Sequence, residues 1–351
     1  MNTDFASNYV MAKARALWGK RLTNDNYQDM LSCRSVEELA EYLKGIPGYA
    51  EIFEGIPVEN LHRQQLEALL KNGLYKKYMT VCHFHKEIGN SFYKFYIYKN
   101  DVDELIKIVA LLSSDSMDKY IFSMPVYNDE TSLLNLYDIA NVRTPQELIT
   151  ATEKTPYCDT LKKIYALNPL GNHILTAEVE FKKFLGDELE IILKKYRNKD
   201  GAADLRSFFA TDCDIYFLNS VYRMQRFSAM PKSYVIPVSL YKQTNITKKQ
   251  RLALFAAVDE NEFLDTLRKT KYEKLADDTA HLDSLARASD IYKYNIFKKK
   301  LRYSTDPCVI MYSYLMLAQY EISNIIHIIE GIRYSLPTEK IRELLLMADC
   351  K

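Results

Sequence analysis

The sequence predicts an all-α protein of three related helical lobes, and three observations carry that reading. The first is a capping device that occurs three times: Ser35-x-x-Glu38, Thr144-Pro-Gln-Glu147 and Asp259-Glu-Asn-Glu262. In each, a side-chain oxygen at the helix start accepts the third helical N–H, while the glutamate reaches back towards the cap's own N–H. An apolar residue follows every box (Leu39, Leu148, Phe263), and a tyrosine closes every short helix (Tyr49, Tyr157, Tyr272). The second observation is a long stretch after each box with apolar residues at helical spacing. The third is a shortage of chain breakers: ten glycines and ten prolines in 351 residues, too few for a turn-rich β architecture. One box is a weak signal. Three, at similar intervals and with the same tyrosine downstream, indicate a triplicated unit.

Lobe one, residues 1–115, opens with a helix over 9–18 and a short helix over 27–31, ahead of the Ser35 box. Residues 61–70 are apolar at helical spacing, with Gly73 and Gly89 as candidate interruptions. Residues 92–98 are aromatic-rich, and propensity alone would make them a strand; helical flanks, and helical patterns at the same place in the other lobes, favour helix. Residues 101–112 close the lobe, and Ser113-Ser-Asp-Ser116 is a hinge. Lobe two, residues 116–229, has a short helix over 131–139 and then the Thr144 box, with Pro145 at the first helical position, where a missing N–H costs nothing. A long amphipathic helix over 176–196 follows, ended by Asn198-Lys-Asp-Gly201, and closing helices span 204–226. Residues 228–237 link to lobe three, residues 230–351. That lobe repeats the plan with a short helix over 247–257, the Asp259 box, a long helix over 280–302 and a final helix over 307–333. A C-terminal helix, 336–346, carries Pro337 near its first turn.

Charge and composition exclude several function classes. A balance of 47 basic and 46 acidic residues produces no global field to recruit nucleic acid or anionic lipid. The basic runs at 194–197 and 298–300 read as solvated helix faces. Six cysteines lack CxxC spacing, and the N-terminus has Asp4 and no apolar stretch, which together point to a reduced, cytoplasmic compartment. The most apolar segment, 307–320, is shorter than the roughly 20 residues a membrane span needs; it reads as a buried core helix. The 27 tyrosines suit long helices that pack with phenol tips at the water boundary.

No catalytic constellation emerges. Glycine loops for phosphate, a GxSxG elbow and an HExxH pair are all absent. Cys82-His83-Phe84-His85 is the cluster closest to a metal site, but zinc sites pair two separated ligand groups, so these read as ordinary helix residues. His62, His173 and His281 fall near the starts of the long helices in poor register, and read as polar helix-start residues. Glu178 and Glu180, two apart on a helix, face different ways and cannot share a substrate. No cofactor is expected.

The order of these features resembles a known family, the central-stalk connector of rotary V-type and A-type ATPases (the C-type stalk component of the archaeal and bacterial enzymes, homologous to the d-type component of the eukaryotic ones). The residues that carry it begin with Tyr9-x-x-x-Lys13-Ala-Arg15 and the Ser35 box ending in Tyr49. Then come the Thr144 box with Lys154-Thr-Pro-Tyr157, the Asp259 box with Leu267-Arg-Lys-Thr-Lys-Tyr272, and the ending from Tyr320-Glu-Ile-Ser-Asn324 to Arg333-Tyr-Ser-Leu-Pro337 and Ile341-Arg342. Essentially the whole chain is covered. One departure is that lobe one has Asp101 and Glu104 where lobe three has Glu321 and Asn324.

The resemblance implies three lobes around a pseudo-threefold axis, forming a funnel. It implies a non-catalytic connector that docks the central shaft (D- and F-type subunits) onto the membrane ring of proteolipid subunits and transmits torque for ion transport. The protein would sit peripherally on the cytoplasmic face, without entering the bilayer, and be a monomer when isolated. The alternative is a soluble all-helical scaffold for other protein partners. For a face that meets a shaft, arginine and tyrosine near the ends of closing helices are favoured anchors: Arg223, Arg226, Arg333 and Tyr334.

Overall fold

The structure, a computed structural model, describes residues 2–58, 61–83, 89–122, 124, 132–167, 173–196, 198–227, 243–282 and 284–346. Every regular element among them is helical. The chain opens with α1 (Asn2–Gly19), the short α2 (Asn24–Ser32) and the capped α3 (Val36–Lys44), then a 3-10 turn at Ala50–Phe53 and the long α4 (Arg63–His83) and α5 (Gly89–Ser113). After a second 3-10 turn, Met117–Phe122, come α6 (Leu136–Ala140), α7 (Pro145–Ala151), α8 (Cys158–Leu167), α9 (His173–Lys195) and α10 (Lys199–Phe227). The same order returns as α11 (Lys248–Ala256), α12 (Glu260–Arg268), α13 (Glu273–Leu282), α14 (Leu285–Tyr303) and α15 (Pro307–Arg333), before the terminal α16 (Thr338–Leu344).

The local chemistry explains the helix starts. Ser35, Thr144 and Asp259 each accept the N–H of the residue three on, at 3.1, 3.3 and 2.9 Å. The glutamate of each box reaches one residue further back than the standard motif, to the N–H preceding the cap: Arg34 to Glu38 (2.7 Å), Arg143 to Glu147 (2.7 Å) and Val258 to Glu262 (2.8 Å). The short helices before them are capped too, by Thr23, Asn135 and Thr247. All three boxes are therefore real, in one shared variant.

Four expectations about element boundaries are corrected. Gly73 lies inside α4 and does not interrupt it; a Cβ there would collide with the Ile52 side chain, so glycine serves a close approach of the 3-10 turn. The short helix of lobe two begins only after Asn135, because the preceding Ser132 and Leu133 bond Asp101. Residues 199–227 form one helix, with Gly201 in its first turn. The long helix expected from residue 280 is divided, α13 ending at Leu282 and α14 beginning after Ser284, whose hydroxyl accepts the Arg287 N–H. The linker 228–237 lies outside the described residues.

The chain packs into two compact units, one of residues 1–93, 125–127 and 293–351 and the other of 94–124 and 128–292. In the first, α15 is the central element, packed by α1, α3, α4 and α16. Ten successive residues, Cys308 to Leu317, are buried, the signature of a helix that is apolar all round and surrounded by protein. In the second unit, α8 packs on α9, α12 on α13, and α10 on α9 and α12, around Tyr157, Tyr272, Phe181, Phe217 and Phe263, all fully buried.

Candidate functional site

Three carboxylates, the first two buried and the third half-buried, recur at matching places on the helices that close each repeat: Asp101 on α5, Asp214 on α10 and Glu321 on α15. Each accepts the hydroxyl of a repeat tyrosine. Tyr157 donates to Asp101 at 2.7 Å, Tyr272 to Asp214 at 2.8 Å and Tyr49 to Glu321 at 2.5 Å. Each also accepts a backbone N–H from just before a short helix: Leu133 (2.9 Å), Asn245 (2.8 Å) and Leu22 (2.9 Å). The acid of one repeat thus holds the paired short helices of the next, and Glu321 near the C-terminus holds those near the N-terminus. At Asp101 and Asp214 a third donor completes the set, the hydroxyl of Ser132 (2.5 Å) or of Thr244.

Burial raises the pKa of all three carboxyls above the ordinary range, and the donors offset part of that rise. Tyr49 and Tyr272 are pushed up as well, first by burial and then by the facing acid. A carboxylate ringed by donors is an acceptor of charge-assisted hydrogen bonds. What converges on each acid, among the described residues, is a set of donors from neighbouring helices; this is an arrangement for holding helices.

The second unit also carries a charged helix face. Asp212, Tyr216, Asn219 and Arg223 recur along one side of α10, beside Glu178 and Lys182 of α9 and Lys99 and Asp103 of α5. The Lys182 ammonium lies 4.6 Å from the Tyr216 ring centre. Asp103 is reached by solvent, yet protein crowds it, and that confinement raises its carboxyl while Lys99 and Lys182 oppose the rise. Glu178 is raised by burial and opposed by Lys182 and Arg223. Cations and anions are thus interleaved on this face. Glu180, two residues from Glu178, points elsewhere and is held by Lys163 (2.5 Å) and Lys183 (2.7 Å).

Of the residues chosen from sequence, Arg223 lies on this face, its Nε donating to the Asn219 carbonyl at 3.3 Å. Arg226, in the last turn of α10, donates to the Tyr222 hydroxyl at 3.2 Å, and that hydroxyl donates to Glu260. Arg333 and Tyr334 end α15 in the other unit. The guanidinium lies 5.1 Å from the Tyr334 ring and 3.9 Å from Glu330, and Tyr334 is 62% exposed. Sequence reasoning missed the three carboxylates as a set; the signal that could have found them was the alignment of Asp101 with Glu321.

Among the described residues no group of three or more histidine, cysteine or acidic side chains could hold a metal ion. Cys82 is buried against the Met311 sulfur at 3.6 Å, its thiol pushed up to about 12, and His83 is exposed; His85 lies outside the described residues. His62 and His281 are exposed, while His173 stacks on Tyr165 with ring centres 4.7 Å apart. Among the described residues no helix is long and apolar enough to cross a membrane.

The family described as ATP synthase (C/AC39) subunit matches residues 10–344. The chain belongs to that family. This makes it a non-catalytic stalk protein, a peripheral part of a rotary ATPase. Among relatives, it is 24% identical over 350 residues to the C subunit of the A-type ATP synthase of Methanosphaera stadtmanae, covering 96% of this chain and 87% of that one. It is 23% identical over 301 residues to the protein of the same description from Methanobrevibacter smithii, covering 83% and 71%.

Proposed function

We propose that the protein is the central-stalk connector of a V/A-type ATPase, docking the D- and F-type shaft subunits onto the proteolipid ring and transmitting torque for ATP-coupled proton or sodium transport. The observation that carries this reading is the family match across nearly the entire chain. The mechanics support it. Transmitting torque needs helices that neither fray nor slide, and here each repeat has a pair of capped helices fastened by a carboxylate that gathers donors from them. In this reading the three lobes, 1–115, 116–229 and 230–351, surround a pseudo-threefold axis as a funnel, on the cytoplasmic face of the membrane. Arg223, Arg226, Arg333 and Tyr334 are proposed anchors for partner subunits; Arg223 belongs to the charged face of α5, α9 and α10.

The test is affinity capture from detergent-solubilised membranes of the source organism, with this protein as bait and mass spectrometry as readout. Recovery of the ring together with shaft and head subunits is expected. Recovery of soluble partners without any ATPase component overturns the connector. Arg223→Glu is expected to reduce recovery of shaft subunits by about tenfold, the scale of losing a well-placed interface arginine, while leaving the ring partner in place.

A further inference from the structure

The three carboxylate sites are not equal. Ser132 and Thr244, which give Asp101 and Asp214 their third donor, each stand immediately before the backbone N–H donor. At the Glu321 site that position is Arg21, directly before Leu22. Arg21 is exposed, its guanidinium lying against Trp18 and donating to the Trp18 carbonyl at 3.3 Å. The missing hydroxyl is replaced by charge at a distance, as Lys77 and Arg21 both act electrostatically on Glu321. Lys77 of α4 donates to the Gly48 carbonyl at 2.6 Å and lies 4.9 Å from the Tyr49 ring. Its ammonium is itself half-buried at a cost that lowers its pKa.

The surroundings add to the contrast. A cavity of about 610 Å³ runs along the outer side of this segment, lined by Lys20, Arg21, Glu41, Tyr42 and the Gly45–Gly48 loop among others. Water therefore already reaches the back of the element that Glu321 holds. The neighbouring α2 is fastened separately: Asn324 donates to the Tyr27 hydroxyl (3.0 Å), and Arg342 donates to Gln28 (2.7 Å). α3 is tied to α2 through Tyr42, which accepts from Asn26 (3.1 Å) and donates to Asp29 (2.7 Å). The loop that follows α3 is held at its end by Tyr49 on Glu321, beside the Lys77 bond to Gly48.

We propose that the Glu321–Tyr49 latch is the releasable one of the three, so that residues 36–49 open locally while α2 and the two hydroxyl-completed latches stay shut. The physical reason is that a hydroxyl donor bonds at contact and is indifferent to salt. A cation that is exposed is screened, and one that is buried brings its own desolvation cost. Opening of a small segment below the global unfolding free energy is ordinary in folded proteins; here it has to expose Leu39, Ala40 and Leu43, which are fully buried. In a stalk protein it would provide one point of give.

Hydrogen exchange of the full chain, followed by mass spectrometry at low and at high potassium chloride, tests this. Peptides within 36–49 are expected to exchange about tenfold faster than those within 145–157 and 260–272, a gap of about 1.4 kcal/mol in opening, and to be the ones that accelerate with salt. Arg21→Ser installs the hydroxyl that the other sites possess and is expected to slow 36–49 towards the other two and remove its salt response. Lys77→Met is expected to accelerate 36–49 further and leave 260–272 unchanged, and it decides the matter should the serine variant not fold. Equal exchange in the three segments, or a Lys77→Met effect spread over all three, overturns the proposal.

Discussion

Asp101 shows how one residue sets the position of a neighbouring repeat. Its carboxylate takes hydrogen bonds from Ser132, the Leu133 N–H and Tyr157, and it is fully buried. Asparagine has the same size but must turn a donor towards one of these donors. Asp101→Asn is therefore expected to cost about 1–3 kcal/mol, the penalty for leaving a buried polar group unsatisfied, read from urea unfolding at neutral pH. The pH dependence has a definite sign. Burial raises the folded-state pKa of Asp101, so the folded protein holds a proton more tightly than the unfolded chain. Wild-type stability from this group rises as pH falls through the interval between the raised carboxyl value and the ordinary one. The asparagine variant lacks that gain, so its deficit is expected to widen on acidification; a constant deficit would mean that the folded carboxyl titrates normally.

At the scale of elements, the helices divide into those that start themselves and those that are placed by others. The boxes at Ser35, Thr144 and Asp259 are local devices. Thr144→Ala is expected to cost about 1 kcal/mol, and the equivalent changes in separate repeats to add because they share no partner. Thermal melts of the single and double variants check this. Helix-on-helix spacing is a tertiary matter. At Gly331 of α15, a Cβ would collide with the Ile341 side chain of α16. Gly331→Ala is expected to lower stability by about 1–3 kcal/mol through overpacking, with Ile341→Val partly restoring it. Nothing in the local sequence distinguishes Gly331 from a merely tolerated helical glycine.

For the molecule as a whole, the three latches link successive repeats and then link the end of the chain to its beginning. Tyr157 and Asp101 are 56 residues apart and Tyr272 and Asp214 are 58, whereas Tyr49 and Glu321 are separated by 272. The last closure comes from the chain's own far end, so no second copy is needed to complete the pattern. The isolated protein is accordingly expected to be a monomer in light scattering at all accessible concentrations, and a stable dimer would contradict this. By the same logic, removing α15 and α16 should leave residues 22–49 unprotected, since their partners at Glu321, Asn324 and Arg342 would be gone.

The sequence by itself determined the helical class, the triplicated order and the capped starts, because capping and amphipathic spacing act over three or four residues and leave a readable period. The recurring tyrosines were visible for the same reason, although the capped helices end before them, at Lys44, Ala151 and Arg268, and do not close on them. Their partners were not. The acid varies between aspartate and glutamate, and the third group is serine, threonine or arginine; no fixed spacing joins them. Only the tertiary structure decided which carboxylate faces which tyrosine, because a hydrogen bond to a buried acid is selected by which helices pack together, and that is settled by the summed burial of distant apolar faces.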